Sequence, residues 1–496
     1  MVLAEERMIV RPEAEIGSRG LAISVGAWCC LIVFSTLPAE LLLQIASYLE
    51  DHTDTLHLAF CCHAFYPLLL PKVFTSLDLI EHRHGHLSHL THTVASNPTL
   101  AREVRTLRVN NGWRPTSSVR YDPAIIQPLL ESALGPEGEL SVWEPALQDR
   151  EDNDVYLALL LQLLPNLETL VLEPLSMYFT GRLISRIALG EKPFDSNPPL
   201  SNLRHFTGMW STVEYGLRST SFLPFFRLPS LRTFSGKSVC DGGDSDDEDY
   251  EPLISLDEPG YSNVTHINLQ SSYSPLGFPD LIRASKRLES FIFNHSDTVC
   301  YGWDEYLDPP KIYESLCKHR ESLEELEIGY DADLAGNNPP EESDFIGSFT
   351  HFRALKKLRV QIANVLYWGG DWPDEDDPEN TLQNILPVSL ESLILEDLAK
   401  SHIETLAKAL EVLLSGEKYR CPNLVYLEIR GWWMHEDQST EESNAIPRPI
   451  PAFLPEFATF KAHVELLCVD VGVEFCLRDS HIESIIEWNR ANGLSE

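Results

Sequence analysis

Five histidines, His82, His84, His86, His89 and His92, crowd into the eleven residues of "HRHGHLSHLTH". Three imidazoles at such a density could hold a zinc ion. No cysteine or carboxylate stands beside them at a ligand spacing, and leucines alternate with the histidines. The run therefore reads as a helix face with exposed imidazoles and no metal. "TFSGKS" ends in Gly-Lys-Ser like a phosphate-binding loop, but the glycine such a loop requires at its start falls on Leu231. The ten cysteines form no Cys-x-x-Cys pair, which argues against a zinc ribbon, a redox dithiol or a disulfide scaffold. Buried free thiols are the simple reading. The sequence has no serine elbow, no His-Glu-x-x-His, no dinucleotide glycine motif and no paired-carboxylate signature. The expectation is a chain with no catalytic residue, no metal and no cofactor.

What remains to be positioned is apolar surface. In "LPAELLLQIASYLEDHTDTLHLAFCCHAF", Leu37, Leu41, Leu42, Ile45 and Leu49 fall on one wide helical face. Pro38 suits a first helical turn, with Ser35 or Thr36 as cap candidates. Thr53 or Asp54 is expected to cap a second helix carrying Leu56, Ala59, Phe60, Cys62 and Phe65. Pro67 and Pro71 are expected to stop it, with "KVFTSLDL" extended beyond. Burying each large apolar side chain is worth about 1.5–3 kcal/mol. Either a larger core of this chain or another protein must cover them.

The spacing L-P-x-E-L-L-x-x-I-x-x-Y-L, then D-x-L-x-L-A-x-x-C-x-x-F, resembles the F-box. It is carried by Leu37, Pro38, Glu40, Leu41, Leu42, Ile45, Tyr48 and Leu49, then Asp54, Leu56, Leu58, Ala59, Cys62 and Phe65. Thr55 stands where a leucine is usual. The resemblance implies a three-helix module that docks on the Skp-type adaptor of a cullin–RING ubiquitin ligase. Leu37, Pro38, Leu41, Leu42, Ile45, Leu49, Leu56 and Phe65 would form or support that docking.

A second pattern, apolar-x-x-apolar-x-apolar, recurs along the chain. It appears as "VRTLRV" at Val104, "LETLVL" at Leu167, "LRHFTG" at Leu203, "LRTFSG" at Leu231, "VTHINL" at Val264 and "LESFIF" at Leu288. It continues as "LEELEI" at Leu323, "LKKLRV" at Leu355, "LESLIL" at Leu390, "LVYLEI" at Leu424 and "VELLCV" at Val464. After one long first gap, the spacing averages 33 residues. That period signals a solenoid. Helical runs such as "DVYLALLLQLLPN", "FPDLIRASKR" and "IETLAKALEVLLS" precede the copies. The expected fold is therefore α/β, with parallel strands inside and helices outside. The pattern resembles irregular leucine-rich repeats, and the order F-box then repeats resembles fungal F-box proteins. A helical HEAT-type solenoid is the competing fold; the alternating, β-branched strands count against it.

Strand alternation sends the fourth and sixth positions of each copy into the core. The third and fifth line the other, concave face. Glu325 and Glu327, Lys357 and Arg359, Ser392 and Ile394, and Tyr426 and Glu428 occupy it in consecutive copies. The set is mixed, polar and unlike a catalytic cluster. A solvated strand face is the plain reading. A protein-reading surface that uses Lys357, Arg359, Glu325 and Tyr426 is the functional one. Trp210, Trp368, Trp372, Trp432 and Trp433 sit just past strand ends, where tryptophan serves either as filler or as a binding hot spot. Trp432 and Trp433 join the expected target-binding set.

Net charge is −37. An anionic surface of that size repels phosphate backbones, so no nucleic-acid partner is expected; basic partners are favoured, or the acid simply solubilises the chain. "LAISVGAWCCLIVF", 14 apolar residues, is shorter than the roughly 20 of a spanning helix. Residues 1–34 read as a poorly ordered extension and no membrane partner is expected, an amphiphilic tail with an anchoring or secretory role being the lesser alternative. Residues 35–80 are the F-box candidate, residues 81–475 the array and residues 476–496 a C-terminal cap, with "SHIESIIEWNRANG" as its helix. Acidic loops at 241–251 and 371–379 interrupt the array and are expected to be solvated. Ser245 in the first suits an acid-directed kinase, and neither loop has calcium-loop spacing.

Taken together, these features predict a non-catalytic substrate-recognition subunit of a ubiquitin ligase, cytoplasmic or nuclear. Its partners would be the Skp-type adaptor, the cullin–RING ligase behind it and an unidentified target protein. The rival readings are a non-ligase scaffold using the same repeat surface, and an enzyme hidden in the array.

Overall fold

A computed structural model describes residues 37–49, 52–61, 63–79, 86–110, 122–134, 140–148, 154–173, 177–210, 216–241, 259–296, 307–330, 345–366, 382–398, 400–415, 421–431 and 454–479. Residues 1–36, most of the two acidic loops, His82, His84, Trp368, Trp372, Trp432, Trp433 and the expected terminal helix lie outside these. The chain divides into two compact units, residues 1–208 with 227–231, and residues 209–226 with 232–496. Each is taken by itself.

The first unit begins with three helices: α1 (Ala39–Ser47), α2 (His52–Cys61) and α3 (Phe65–Thr75). Pro38 is the residue before α1, not its first turn; its carbonyl accepts the amides of Leu41 (3.1 Å) and Leu42 (3.2 Å). Helix α2 starts at His52, so Thr53 and Asp54 lie within its first turn. The expected stop at Pro67 and Pro71 does not occur. Both prolines lie inside α3. Pro67 sits in the first turn, where no amide is needed. Pro71 removes one interior hydrogen bond, and packing outweighs that loss: Phe65 and Leu69 from α3 are buried against Leu42, Ala46 and Ala59. Lys72 also donates to the Ala46 carbonyl.

"KVFTSLDL" is helical through Thr75 and extended only in β1 (Ser76–Asp78). That strand pairs in parallel with β2 (Thr106–Asn110), Leu77 opposite Leu107. "FTSLDL" is thus a further copy of the repeat, 30 residues before Val104 by the sequence numbering. Strands β3 (Thr169–Glu173) and β4 (His205–Met209) follow in the same register, Leu107 beside Leu170 and Leu170 beside Phe206. The long first gap holds helices Pro123–Leu134 and Leu140–Gln148 in addition to Asp154–Leu161. All eight residues of the last are buried, as suits a helix apolar on every side.

The second unit carries β5 (Leu217–Arg218) paired with β7 (Val239–Cys240). Its main ladder is β6 (Thr233–Lys237), β8 (His266–Ser272), β9 (Ser290–His295), β10 (Glu325–Tyr330), β11 (Lys357–Gln361), β12 (Ser392–Leu398), β13 (Tyr426–Gly431) and β14 (Glu474–Asp479). All neighbours in it are parallel. The fourth and sixth positions are buried as expected: Leu326 and Ile328, Leu393 and Leu395, Leu427 and Ile429 are each 0% exposed.

"VELLCV" is not the last strand. It lies in helix Pro455–Val471, whose buried residues Phe457, Phe460, Val464 and Cys468 follow helical spacing. The strand comes after Gly472, which ends the helix with φ +78°, and places Phe475 and Leu477 beside Leu427 and Ile429.

Two hydrogen-bonding devices, one of backbone and one of side chains, hold successive rungs. The carbonyl at the second position of one copy accepts two amides of the next: Glu324 takes Lys356 (2.8 Å) and Lys357 (3.0 Å), and Lys356 takes Glu391 (2.8 Å) and Ser392 (2.9 Å). A short polar side chain just before the first apolar position then donates to a carbonyl of the preceding copy. Asn166 reaches Arg102 (2.7 Å), Ser322 reaches Leu288 (2.8 Å) and Ser389 reaches Leu355 (2.8 Å). The sequence carried this signal as the recurring Asn or Ser before the first leucine, and pattern reading at the apolar positions passed over it.

Buried carboxylates cap helices in both units. Asp154 accepts from the Phe179 amide (2.7 Å) and Asp241 from the Phe278 amide (2.5 Å). Burial pushes the Asp241 carboxyl up to about 6, against the lowering effect of Ser274 and the backbone amides.

Candidate protein-binding surfaces

On the first unit, the expected docking residues divide into two groups. Leu42 and Phe65 are buried and close the core of the three helices, with Leu37 half-buried against it. Pro38 is exposed, Leu41 is 45% exposed, and Ile45, Leu49 and Leu56 are half-buried. Tyr48, at 77%, is the most exposed large apolar residue of α1 and its cap. Leu41, Ile45 and Tyr48 lie four and three residues apart and form one stripe along α1. The core stripe, Leu42 and Ala46, lies one position round. Leu43 and Phe60 are further exposed apolar side chains of this module.

On the second unit, the face opposite the core carries a row of ion pairs. Glu325 accepts from Ser290 Oγ (2.8 Å) and meets Lys357 Nζ (3.4 Å). Arg359 bonds Glu396 (2.9 Å) on one side and Glu327 (3.3 Å) on the other. Burial alone would lower the Arg359 pKa; the two carboxylates outweigh it and hold it raised. Glu428, only 3% exposed at its side chain, accepts from Arg430 (2.5 Å), from Arg478 (3.2 Å) and from the Tyr426 hydroxyl. Burial, with the Glu428 hydrogen bond behind it, pushes the Tyr426 phenol up to about 12. The strands therefore bring together Glu325, Lys357, Arg359 and Tyr426 as expected. They add Glu396, Arg430 and Arg478 from the seventh position of the copies, one turn of the pleat beyond the residues read from sequence. Trp432 and Trp433 lie outside the described residues. Trp210 is half-buried, and its amide donates to the Lys237 carbonyl (3.1 Å).

The chemistry set aside in the sequence finds structural uses. Gly236 of "TFSGKS" is inside β6, where a Cβ would come 2.5 Å from Val239 Cγ2. His86, His89 and His92 lie on helix His86–Ser96. Among the described residues no group of His, Cys, Asp and Glu could hold a metal, and no helix is long and apolar enough to cross a membrane.

Helix-then-strand units, stacked in parallel with leucines facing the helices and polar residues facing away, define an α/β repeat array. The family profile of the leucine-rich repeat domain matches residues 78–447. The chain belongs to that family, whose domains are typically non-catalytic interaction modules. No curated protein matched the chain.

Proposed function

We propose that this protein is the substrate-recognition subunit of a cullin–RING ubiquitin ligase. Its N-terminal helices dock the Skp-type adaptor, and the strand face of its repeats holds the target. The observation that carries the reading is the run Leu37–Phe65. Its F-box-like spacing supplies both the core residues of a three-helix module and a separate stripe of exposed Leu41 and Tyr48 with half-buried Ile45 between them. A self-sufficient core would not need that second stripe. The chain contributes proximity, not bond chemistry: holding a target near a ubiquitin-loaded partner raises the effective concentration of its lysines.

The test is co-purification with the Skp-type adaptor, comparing the unaltered chain with the double variant Leu41→Asp and Ile45→Asp. Two carboxylates buried without partners cost several kcal/mol at a desolvated interface. A folded double variant that no longer binds supports the docking module. An unaltered chain that does not bind removes the ligase reading. A chain that binds adaptor without recruiting a cullin favours a scaffold using the same repeat surface.

A further inference from the structure

Beyond the fifth-position row, the strand face of the second unit contains a spot without a side chain. Gly329 on β10 pairs with Asn294 on β9. Its backbone does not need glycine, since it is not among the residues with positive φ. Its bareness leaves room. A Cβ there would lie 2.8 Å from Asn294 Oδ1, 3.3 Å from Glu396 Oε2 and 3.7 Å from Arg359 Nη2. Asn294 uses its Nδ2 on Gln270 Oε1 (2.5 Å), and Gln270 uses its own Nε2 on Asn268 Oδ1 (2.5 Å). The chain of amides ends at Asn294 Oδ1, which is buried and has no hydrogen-bond partner. Glu396 meets Arg359 and Arg430 through Oε1 and presents Oε2 at the bare position. Two acceptors, one anionic, therefore converge where a donor is lacking, and an unmatched buried acceptor is unfavourable.

We propose that this spot is the receptor for one basic side chain, arginine or lysine, of the partner protein. The inference rests on reading the strand face as the target-binding surface, and it names what that surface selects. A guanidinium can place one N–H on Asn294 Oδ1 and another on Glu396 Oε2, which a neutral side chain cannot do with comparable strength. The row of ion pairs is itself balanced, Glu327, Glu396 and Glu428 meeting Arg359, Arg430 and Arg478, with Glu396 shared between Arg359 and Arg430 through Oε1 alone. The net charge of −37 draws basic segments to the chain as a whole. Gly329 is covered in the unbound chain. Entry moves the tips of Arg359 and Glu396, both long side chains with several rotatable bonds.

The experiment is selection of a random dodecapeptide display library on the full-length chain, followed by resynthesis of the best peptide with citrulline, the neutral isostere, in place of arginine. Arginine or lysine should be enriched at one fixed position. The citrulline peptide should bind about 10-fold more weakly or worse, as for loss of a charge-assisted hydrogen bond. Asn294→Leu removes an acceptor that arginine and citrulline can both use and should weaken both peptides; Glu396→Gln removes the anionic acceptor and should bind both peptides equally. Gly329→Val, whose side chain would fill the spot, should do the same, with circular dichroism confirming that each variant is folded. No enrichment, no basic position among the selected peptides, a citrulline penalty that persists in Glu396→Gln, or unchanged binding in Asn294→Leu would overturn the proposal. Adaptor binding measured on the same preparations tests the ligase reading separately: its loss leaves the Gly329 result standing, and its presence does not rescue it.

Discussion

Asp397 is the residue whose replacement should stabilise this protein. It sits where β12 shifts register, with φ +61°, and accepts a hydrogen bond from Gln361 Nε2 (2.5 Å). Burial, and then the neighbouring Glu396 carboxylate, push its carboxyl up from 3.8 to about 6. The folded chain thus holds the proton more tightly than the unfolded one. The stability this group contributes is full below about pH 4 and is lost as pH rises through about 6. Above that, the ionised carboxylate weighs against folding by about 3 kcal/mol, at 1.36 kcal/mol per pKa unit, less whatever solvent screens a half-buried group. Asp397→Asn imitates the protonated form at every pH. Asparagine tolerates the left-handed backbone, keeps an acceptor for Gln361 Nε2, and offers an N–H near Gln361 Oε1, which is buried without a partner. Urea unfolding followed by circular dichroism should show the variant more stable by about 2–3 kcal/mol near pH 7.5, and by about 1 kcal/mol less than that near pH 5.3. Both conditions lie above the pI near 4.7. A variant no more stable than the parent at pH 7.5, or a gain that does not shrink on acidification, would refute the reasoning.

Other substitutions separate core from surface. Leu42→Ala should cost about 2–4 kcal/mol in thermal unfolding and Leu41→Ala less than about 1 kcal/mol, since only the former sits in the helical core. Arg359→Ala takes the shared guanidinium from Glu327 and Glu396, leaving Glu396 with Arg430 alone, and should cost about 1–3 kcal/mol. Lys357→Ala, whose side chain is 64% exposed, should cost under about 1 kcal/mol by the same measurement. Gly236→Ala forces a Cβ against Val239 and should lower the unfolding midpoint by the equivalent of about 1–3 kcal/mol; an unchanged midpoint would mean that β6 shifts freely. Asn166→Ala removes the bond to the Arg102 carbonyl and should cost about 1 kcal/mol.

How much of this could be read beforehand depends on the range of the forces involved. Period-two alternation is local, so Leu326 and Ile328 could be assigned to the core and Glu325 and Glu327 to the opposite face from six residues of sequence. The rung spacing was equally legible, because every copy must present its leucines to the same layer of helices. Segments whose pattern fits two structures were not. "VELLCV" satisfies the strand pattern, yet Val464 and Cys468 are spaced for a helix whose earlier turns at Phe457 and Phe460 had already set the face. Pro67 and Pro71 signal a break locally, but the packing of Phe65 and Leu69 against α1 and α2 decides for a helix. Leu41 and Leu42 are the same residue type one position apart, and only the placement of α2 and α3 makes one surface and the other core. The cross-strand ion pairs and the bare spot at Gly329 join residues 30 to 67 positions apart in sequence. Sequence fixes each strand's two faces through local sterics. Which side chains meet across strands is decided by the register of the parallel ladder, a property of the packed array that leaves no mark on any single segment.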